Sequence, residues 1–129
     1  MTEWVEAKDL KGLLKNPQKI PHNKTWSELC QRIFDSKLEA ERGEYLRMME
    51  MAGEIKRLVY QPKWTLSQKP KLTYAADFFY CQGGRGIFED CKGYLTRDSR
   101  TRILWAQAKL EIQVRLVTRV KGEWQWRTL

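Results

Sequence analysis

Histidine, cysteine and long apolar runs are what this 129-residue chain has least of, and each shortage removes a class of function. One histidine, His22, and three cysteines, Cys30, Cys81 and Cys91, with no Cys-x-x-Cys pair, argue against a zinc site. The odd cysteine count also argues against a disulfide framework and for a reducing compartment. No segment approaches the ~20 apolar residues of a membrane-spanning helix, and Met1 to Lys8 form no apolar leader, so a cytoplasmic protein away from membranes is expected. Internal repeats and low-complexity tracts are missing as well.

What the chain does have is positive charge and aromatic side chains. Twenty-four Lys and Arg against 16 Asp and Glu give a net charge of +8, which favours an anionic partner such as nucleic acid, although charge of this size also serves plain solubility. A hydrophobic content of 42%, with six Trp, is enough to fill the core of one domain.

Along the chain, Trp4, Val5, Leu10, Leu13 and Leu14 form an incomplete helical stripe. Residues 15–24, with two prolines and several basic side chains, read as a linker that either tracks a phosphate backbone or is simply solvated. His22 lies there without a second histidine and receives no role. Residues 1–24 are thus an N-terminal helix and basic linker, and 25–129 a single domain. Ser36-Lys37-Leu38-Glu39 has the capping-box pattern and predicts a helix over 37–52, closed by Gly53. Its apolar stripe is Leu38, Tyr45, Leu46, Met49 and Ala52, interrupted by Arg42 and Gly43. Extended runs follow at 54–60 and 63–66, broken at Gln61-Pro62 by an edge or a bend. A second helix is predicted from Asp98 or Ser99 to about Leu110. A strand over 111–120, a turn at Lys121-Gly122 and a short return at Trp124-Gln125-Trp126 complete the chain. The order helix, three strands, helix, strand places it in the α/β (α+β) class.

The chemistry concentrates in one predicted hairpin. Residues 72–80 and 87–91 are apolar runs on either side of Gly83-Gly84-Arg85-Gly86, and pairing about that turn sets Asp77 roughly opposite Asp90 to Lys92. Strand alternation puts Asp90 and Lys92 on one face. Two carboxylates with an ammonium offer hard oxygen ligands for Mg²⁺ or Mn²⁺ and a cation beside the attacking water or the phosphate, as metal-assisted phosphodiester hydrolysis requires. A solvated strand face is the competing explanation, but both acids sit in stretches that favour burial, where a carboxylate is costly unless paired or metal-bound. A register slip of one residue would replace Asp90 by Glu89 and take the acid off the face of Lys92. Glu39 reads either as a capping glutamate or as a third acid. Arg97, Arg100 and Arg102 cluster at the second helix start, where they can hold phosphates or form a solvated face. Trp64 and Trp105 suit core packing better than base stacking.

These residues together resemble the PD-(D/E)xK nuclease superfamily: a helix with glutamate, a strand with aspartate, a strand with Asp-x-Lys, then a helix. Within it, Phe34 to Arg42, Gly53-Glu54-Ile55, Gln61-Pro62-Lys63-Trp64, Tyr74 to Phe78 and Glu89 to Thr96 are similar, in this order, to a family of small phage-encoded proteins. The resemblance spans roughly residues 24–110. It implies a restriction-endonuclease-like core, a central mixed sheet flanked by helices. The implied activity is a metal-dependent endodeoxyribonuclease of the Holliday-junction-resolvase kind, acting on branched DNA in the host cell cytoplasm. A homodimer is implied too, since paired cuts across a junction need two active sites. Residue by residue, the resemblance implies catalytic roles for Glu39, Asp77, Asp90 and Lys92. Asp77, Asp90, Glu39 and the Cys91 carbonyl would ligate Mg²⁺ or Mn²⁺, and Lys92 would position or deprotonate water. Lys37, Arg42, Arg97, Arg100 and Arg102 are the expected nucleic-acid contacts. Ala76 stands where the superfamily name has proline, which bears on loop geometry. Two alternatives are a non-catalytic nucleic-acid-binding protein on the same fold, and a nuclease for duplex, single-stranded DNA or RNA. The intact set of acids and lysine stands against the first.

Overall fold

The structure, a computed structural model, describes residues 23–129. The helix expected at 2–15 and most of the basic linker lie outside the described residues. The elements run β1 (Thr25–Ser27), β2 (Arg32–Phe34), α1 (Lys37–Met51), β3 (Lys56–Tyr60), β4 (Lys63–Gln68), β5 (Lys71–Ala75), β6 (Phe78–Gln82), β7 (Arg85–Cys91), α2 (Arg97–Leu110), β8 (Val114–Val120) and β9 (Glu123–Arg127). This is a mixed α+β protein. Its main sheet has the order β3-β6-β7-β8-β9, antiparallel except between β7 and β8, which run parallel because α2 carries the chain back between them.

The turn at Gly83 and Gly84, both at positive φ, closes the β6–β7 hairpin with Phe78 opposite Glu89 and Tyr80 opposite Ile87. The run 72–80, expected as one strand, is two. β5 pairs with β4 in a separate two-stranded sheet, and β6 pairs with β3 in the main one. Residues 56–82 therefore form one long hairpin bent in the middle, at Gln61-Pro62 on one arm and Ala76-Asp77 on the other. Gln61 adopts φ +51°, and backbone bonds from Gln61 N–H to the Asp77 carbonyl (2.9 Å) and from Ala76 N–H to the Pro62 carbonyl (3.0 Å) tie the two bends together. Pro62 has no N–H to continue the ladder, which is why the bend falls there.

Alternation along β7 divides the core in two. Ile87 joins Phe34, Ala40, Leu46, Ile55, Tyr60, Phe78 and Tyr80 under α1, whereas Phe88 packs with Leu66, Tyr74, Ile103, Ala106, Val114 and Leu116 under α2 and the β4–β5 ribbon. Both faces of the main sheet are thus covered. The short β1–β2 hairpin, Thr25 opposite Phe34, lies beside α1 and was not expected, because three residues per strand are too few for alternation to register.

Helix α1 begins as its sequence predicts, with Ser36 Oγ accepting from Glu39 N–H at 3.1 Å, and Gly53 follows its end at φ +79°. The face it buries differs from the expected stripe. Tyr45 is exposed, and Glu39, Arg42, Gly43 and Leu46, at helical spacing, point inward. Gly43 is there for close approach: a Cβ would come within 2.6 Å of the Phe34 ring, which Tyr60 and Phe78 hold in place. Gly43→Ala is therefore expected to destabilise by about 1–3 kcal/mol through overpacking, against a helix-propensity gain of about 1 kcal/mol. Urea unfolding showing a net gain would mean the ring yields.

Helix α2 starts one residue before the expected range, with Thr96 Oγ1 accepting from Ser99 N–H at 3.1 Å. Glu111 caps its end in the left-handed region at φ +55°, and Gln107 Oε1 accepts from Val114 N–H, so β8 begins at residue 114 and not 111. Among the described residues no helix is long and apolar enough to cross a membrane.

Candidate active site at the ribbon bend

Asp77 sits in the bend itself. The rung Phe78–Glu89 is the last of the β6–β7 ladder, so Asp77 follows beside Asp90. Its N–H is shared between the Glu89 carbonyl (2.9 Å) and Asp90 Oδ1 (3.1 Å), and its Oδ2 accepts from Cys91 N–H at 2.7 Å. Asp90 is buried, and its Oδ2 accepts from the Tyr74 hydroxyl at 2.5 Å. Lys92, half-buried, lines the same cleft as Asp90 and acts electrostatically on both acids. Glu39 reaches the cluster from the first turn of α1. Its Oε2 accepts from Asp35 N–H (3.3 Å), one residue before the amide a capping box would use, and its Oε1 is buried without a hydrogen-bond partner among the described residues. The side chains of Asp77 and Gln61 adjoin it.

Electrostatics set this cluster apart. Burial pushes the Asp77 carboxyl well above its ordinary range, and the charges of Asp90 and Glu39 add to that, against the opposing Cys91 amide and Lys92. Burial raises Asp90, partly offset by Lys92 and by the bonds from Tyr74 and Asp77. Glu39 is raised by burial and then by Asp35. Three carboxyls with one ammonium among them cannot all ionise cheaply unless another cation joins them.

The donor set fits a hard divalent ion. Among the described residues no three His, Cys, Asp or Glu side chains stand ready as a cage. Mg²⁺, however, typically takes only one or two carboxylates and keeps several waters, so Asp77 and Asp90 would suffice to hold it, and Glu39 beside Asp77 would add a third acid behind them. Three of the four oxygens of Asp77 and Asp90 already accept from the protein, but each retains a second lone pair.

Two clefts open onto the acids. One of about 360 Å³ is lined by Asp35, Gln61, Lys63, Asp77 and Arg102; a smaller one of about 140 Å³ lies between Asp90, Lys92, Ser99 and Arg102. Of the basic residues expected to meet nucleic acid, Arg102 stands on both cleft walls, while Lys37, Arg97 and Arg100 are exposed and line neither. Arg42 is corrected: it is buried on the opposite face of the sheet, with Nε and Nη2 donating to both Glu89 oxygens at 2.8 and 2.7 Å. Glu89 also accepts from the Tyr80 hydroxyl. That network keeps Glu89 away from Lys92 and excludes the slipped register in which it would replace Asp90. Tyr74 was missed. Three residues before Asp77, it would face the other side of a continuous strand, and only the bend brings both to Asp90.

The chain belongs to the family described as protein of unknown function (DUF1064), whose profile matches residues 22–129. No curated protein and no solved structure matches it.

Proposed function

We propose that this DUF1064 member is a divalent-metal-dependent endonuclease that hydrolyses DNA phosphodiester bonds on a restriction-endonuclease-like core. The observation that carries the reading is the clustering of Asp77, Asp90 and Glu39 with Lys92, Asp77 on one cleft and Asp90 with Lys92 on the adjoining one, in a protein otherwise rich in positive charge. Acids gathered at such energetic cost need a use, and a basic surface brings phosphates to them.

Asp77 and Asp90, with the Cys91 carbonyl and Glu39 through water, are the residues that would hold Mg²⁺ or Mn²⁺. Such an ion supplies positive charge against the charge developing on the phosphate and makes water more acidic. Lys92 positions the attacking water or takes its proton, and its ammonium offsets charge in the transition state. Tyr74 fixes the orientation of Asp90, and Arg102 at the cleft wall holds a flanking phosphate. Branched DNA is the preferred substrate and a homodimer the working unit, on the resemblance to junction-resolving nucleases.

The hydrogen bonds that Asp77 and Asp90 already make favour a second reading, a binding protein in which these acids only pin the bend. Incubating the protein with four-way junction, linear duplex, single-stranded DNA and RNA, in Mg²⁺, Mn²⁺ or EDTA, separates the two. Cleavage that EDTA abolishes supports the nuclease, and none on any substrate removes it. Glu39→Gln sharpens the test, because glutamine still accepts from Asp35 N–H. Stability near wild type with activity lowered by more than about tenfold is expected, the range found on losing groups behind metal ligands. Unchanged activity would leave Glu39 a helix cap.

A further inference from the structure

Beyond Lys92 the cleft does not end. A third pocket of about 270 Å³ opens on its far side, with Lys92, Leu95, Leu116, Thr118, Gln125 and Arg127 among its walls. Lys92 is common to this pocket and the one holding Asp90, and Arg102 is common to the latter and the pocket at Asp77, so the three clefts adjoin in a row with the Asp90 pocket between the other two. The register of the β8–β9 hairpin explains the lining. Leu116 opposes Arg127 and Thr118 opposes Gln125, so these four side chains share the sheet face that carries Asp90. Gln125 and Arg127 are exposed, and beyond their backbone pairing with β8 neither side chain has a hydrogen-bond or ion-pair partner among the described residues. Leu116 is buried and Leu95 half-buried, giving an apolar floor.

An apolar floor, an amide and a hydroxyl beside it, and a guanidinium at the outer rim match the parts of a nucleotide: sugar and base, base edge, and phosphate. We infer that the β8–β9 pocket is the subsite for the nucleotide next to the scissile phosphate of a DNA strand. Leu95 and Leu116 lie under its sugar and base, Thr118 and Gln125 bond the base edge, and Arg127 holds the following phosphate. The inference rests on the nuclease reading for the word scissile, while the binding of a strand in the pocket stands without it. It gives the enzyme a base preference at the cut, set by Gln125, which the acids alone do not provide.

The test measures both cleavage and binding on the full chain. Gln125→Ala, Arg127→Ala and Arg127→Glu all lie on exposed positions of the outermost strand, so folding should survive them. A labelled four-way junction in Mg²⁺ reports rate and cut position; a labelled DNA single strand in EDTA reports affinity by fluorescence anisotropy. Arg127→Ala should weaken binding about tenfold, as expected for one charge-assisted hydrogen bond, and lower the single-strand salt slope by about 0.7. Arg127→Glu should weaken it more, and Gln125→Ala should change which nucleotide flanks the cut at little cost in affinity. If wild type cleaves and all three variants keep its rate, cut positions and affinity, the subsite is wrong and the nuclease stands. If wild type cleaves nothing but Arg127→Glu loses strand binding, the pocket stands as a nucleic-acid site and the nuclease falls. Wild type that neither cleaves nor binds overturns both.

Discussion

Asp77→Asn is expected, on the proposed nuclease activity, to lower cleavage by more than about a hundredfold, since even groups behind metal ligands cost 10–100-fold, and at the same time to make the metal-free protein more stable at alkaline pH. Both effects come from one charge. Asp77, Asp90 and Glu39 each have a carboxyl raised in the folded chain by burial, so the folded state binds their protons more tightly than the unfolded chain does. Their favourable contribution is full below the ordinary carboxylate range near about 4 and is lost as pH rises through the raised folded values. Metal-free wild type should therefore melt lower at pH 8 than at pH 5 on account of this cluster. Asparagine keeps an oxygen for Cys91 N–H while removing the charge, so in EDTA at pH 8 its melting temperature should rise by about 2–8 °C. Mn²⁺ should stabilise wild type and not the variant. Asp90→Asn is the poorer probe, because Asp90 accepts from donors at both oxygens and an amide offers one acceptor only. Full cleavage by Asp77→Asn would take the residue out of the mechanism, and a variant that fails to fold would make its role structural.

Arg42→Ala is expected to destabilise the fold by about 3–5 kcal/mol, since it leaves a buried carboxylate without its partner. Glu89 is fully buried and takes both bonds of the fork, and the guanidinium also lies over the Tyr45 and Trp124 rings at 5.0 and 5.1 Å, so packing is lost along with charge. Burial opposes the arginine's charge, but the bonds and charge of Glu89 more than compensate, and its pKa is raised. Replacing the whole unit, Arg42→Met with Glu89→Leu and Tyr80→Phe, should be far milder, because no polar group is then stranded. Urea midpoints compare the two. A loss under about 1 kcal/mol for Arg42→Ala, the range of exposed pairs, would mean the pair is not closed off from solvent.

Much of this layout follows from local signals. The cap at Ser36, Gly53 after α1, the paired glycines of the β6–β7 turn and the alternation that joins Asp90 to Lys92 each act over a few residues, so they can be read without knowing what packs where. The same is true of the β8–β9 turn, which falls at Lys121-Gly122 as expected, whereas the starts of α2 and β8 were missed by the one to three residues over which helix ends compete with neighbouring segments.

Sequence by itself determined the two long helices, the glycine turn of the central hairpin, and the neighbourhood of two acids and a lysine at the end of that hairpin away from the turn. Only the tertiary structure decided where the long hairpin bends, and hence that Tyr74 joins Asp77 at Asp90. It also decided that Arg42 serves Glu89, 47 residues away, and not a phosphate. The reason is physical. A turn or a cap is chosen by the backbone preferences of neighbouring residues, whereas the partner of a buried charge is chosen by which chain segments come to share a face of the sheet. Alternation carries a strand's pattern only while the strand stays in one sheet, and at Ala76-Asp77 it does not.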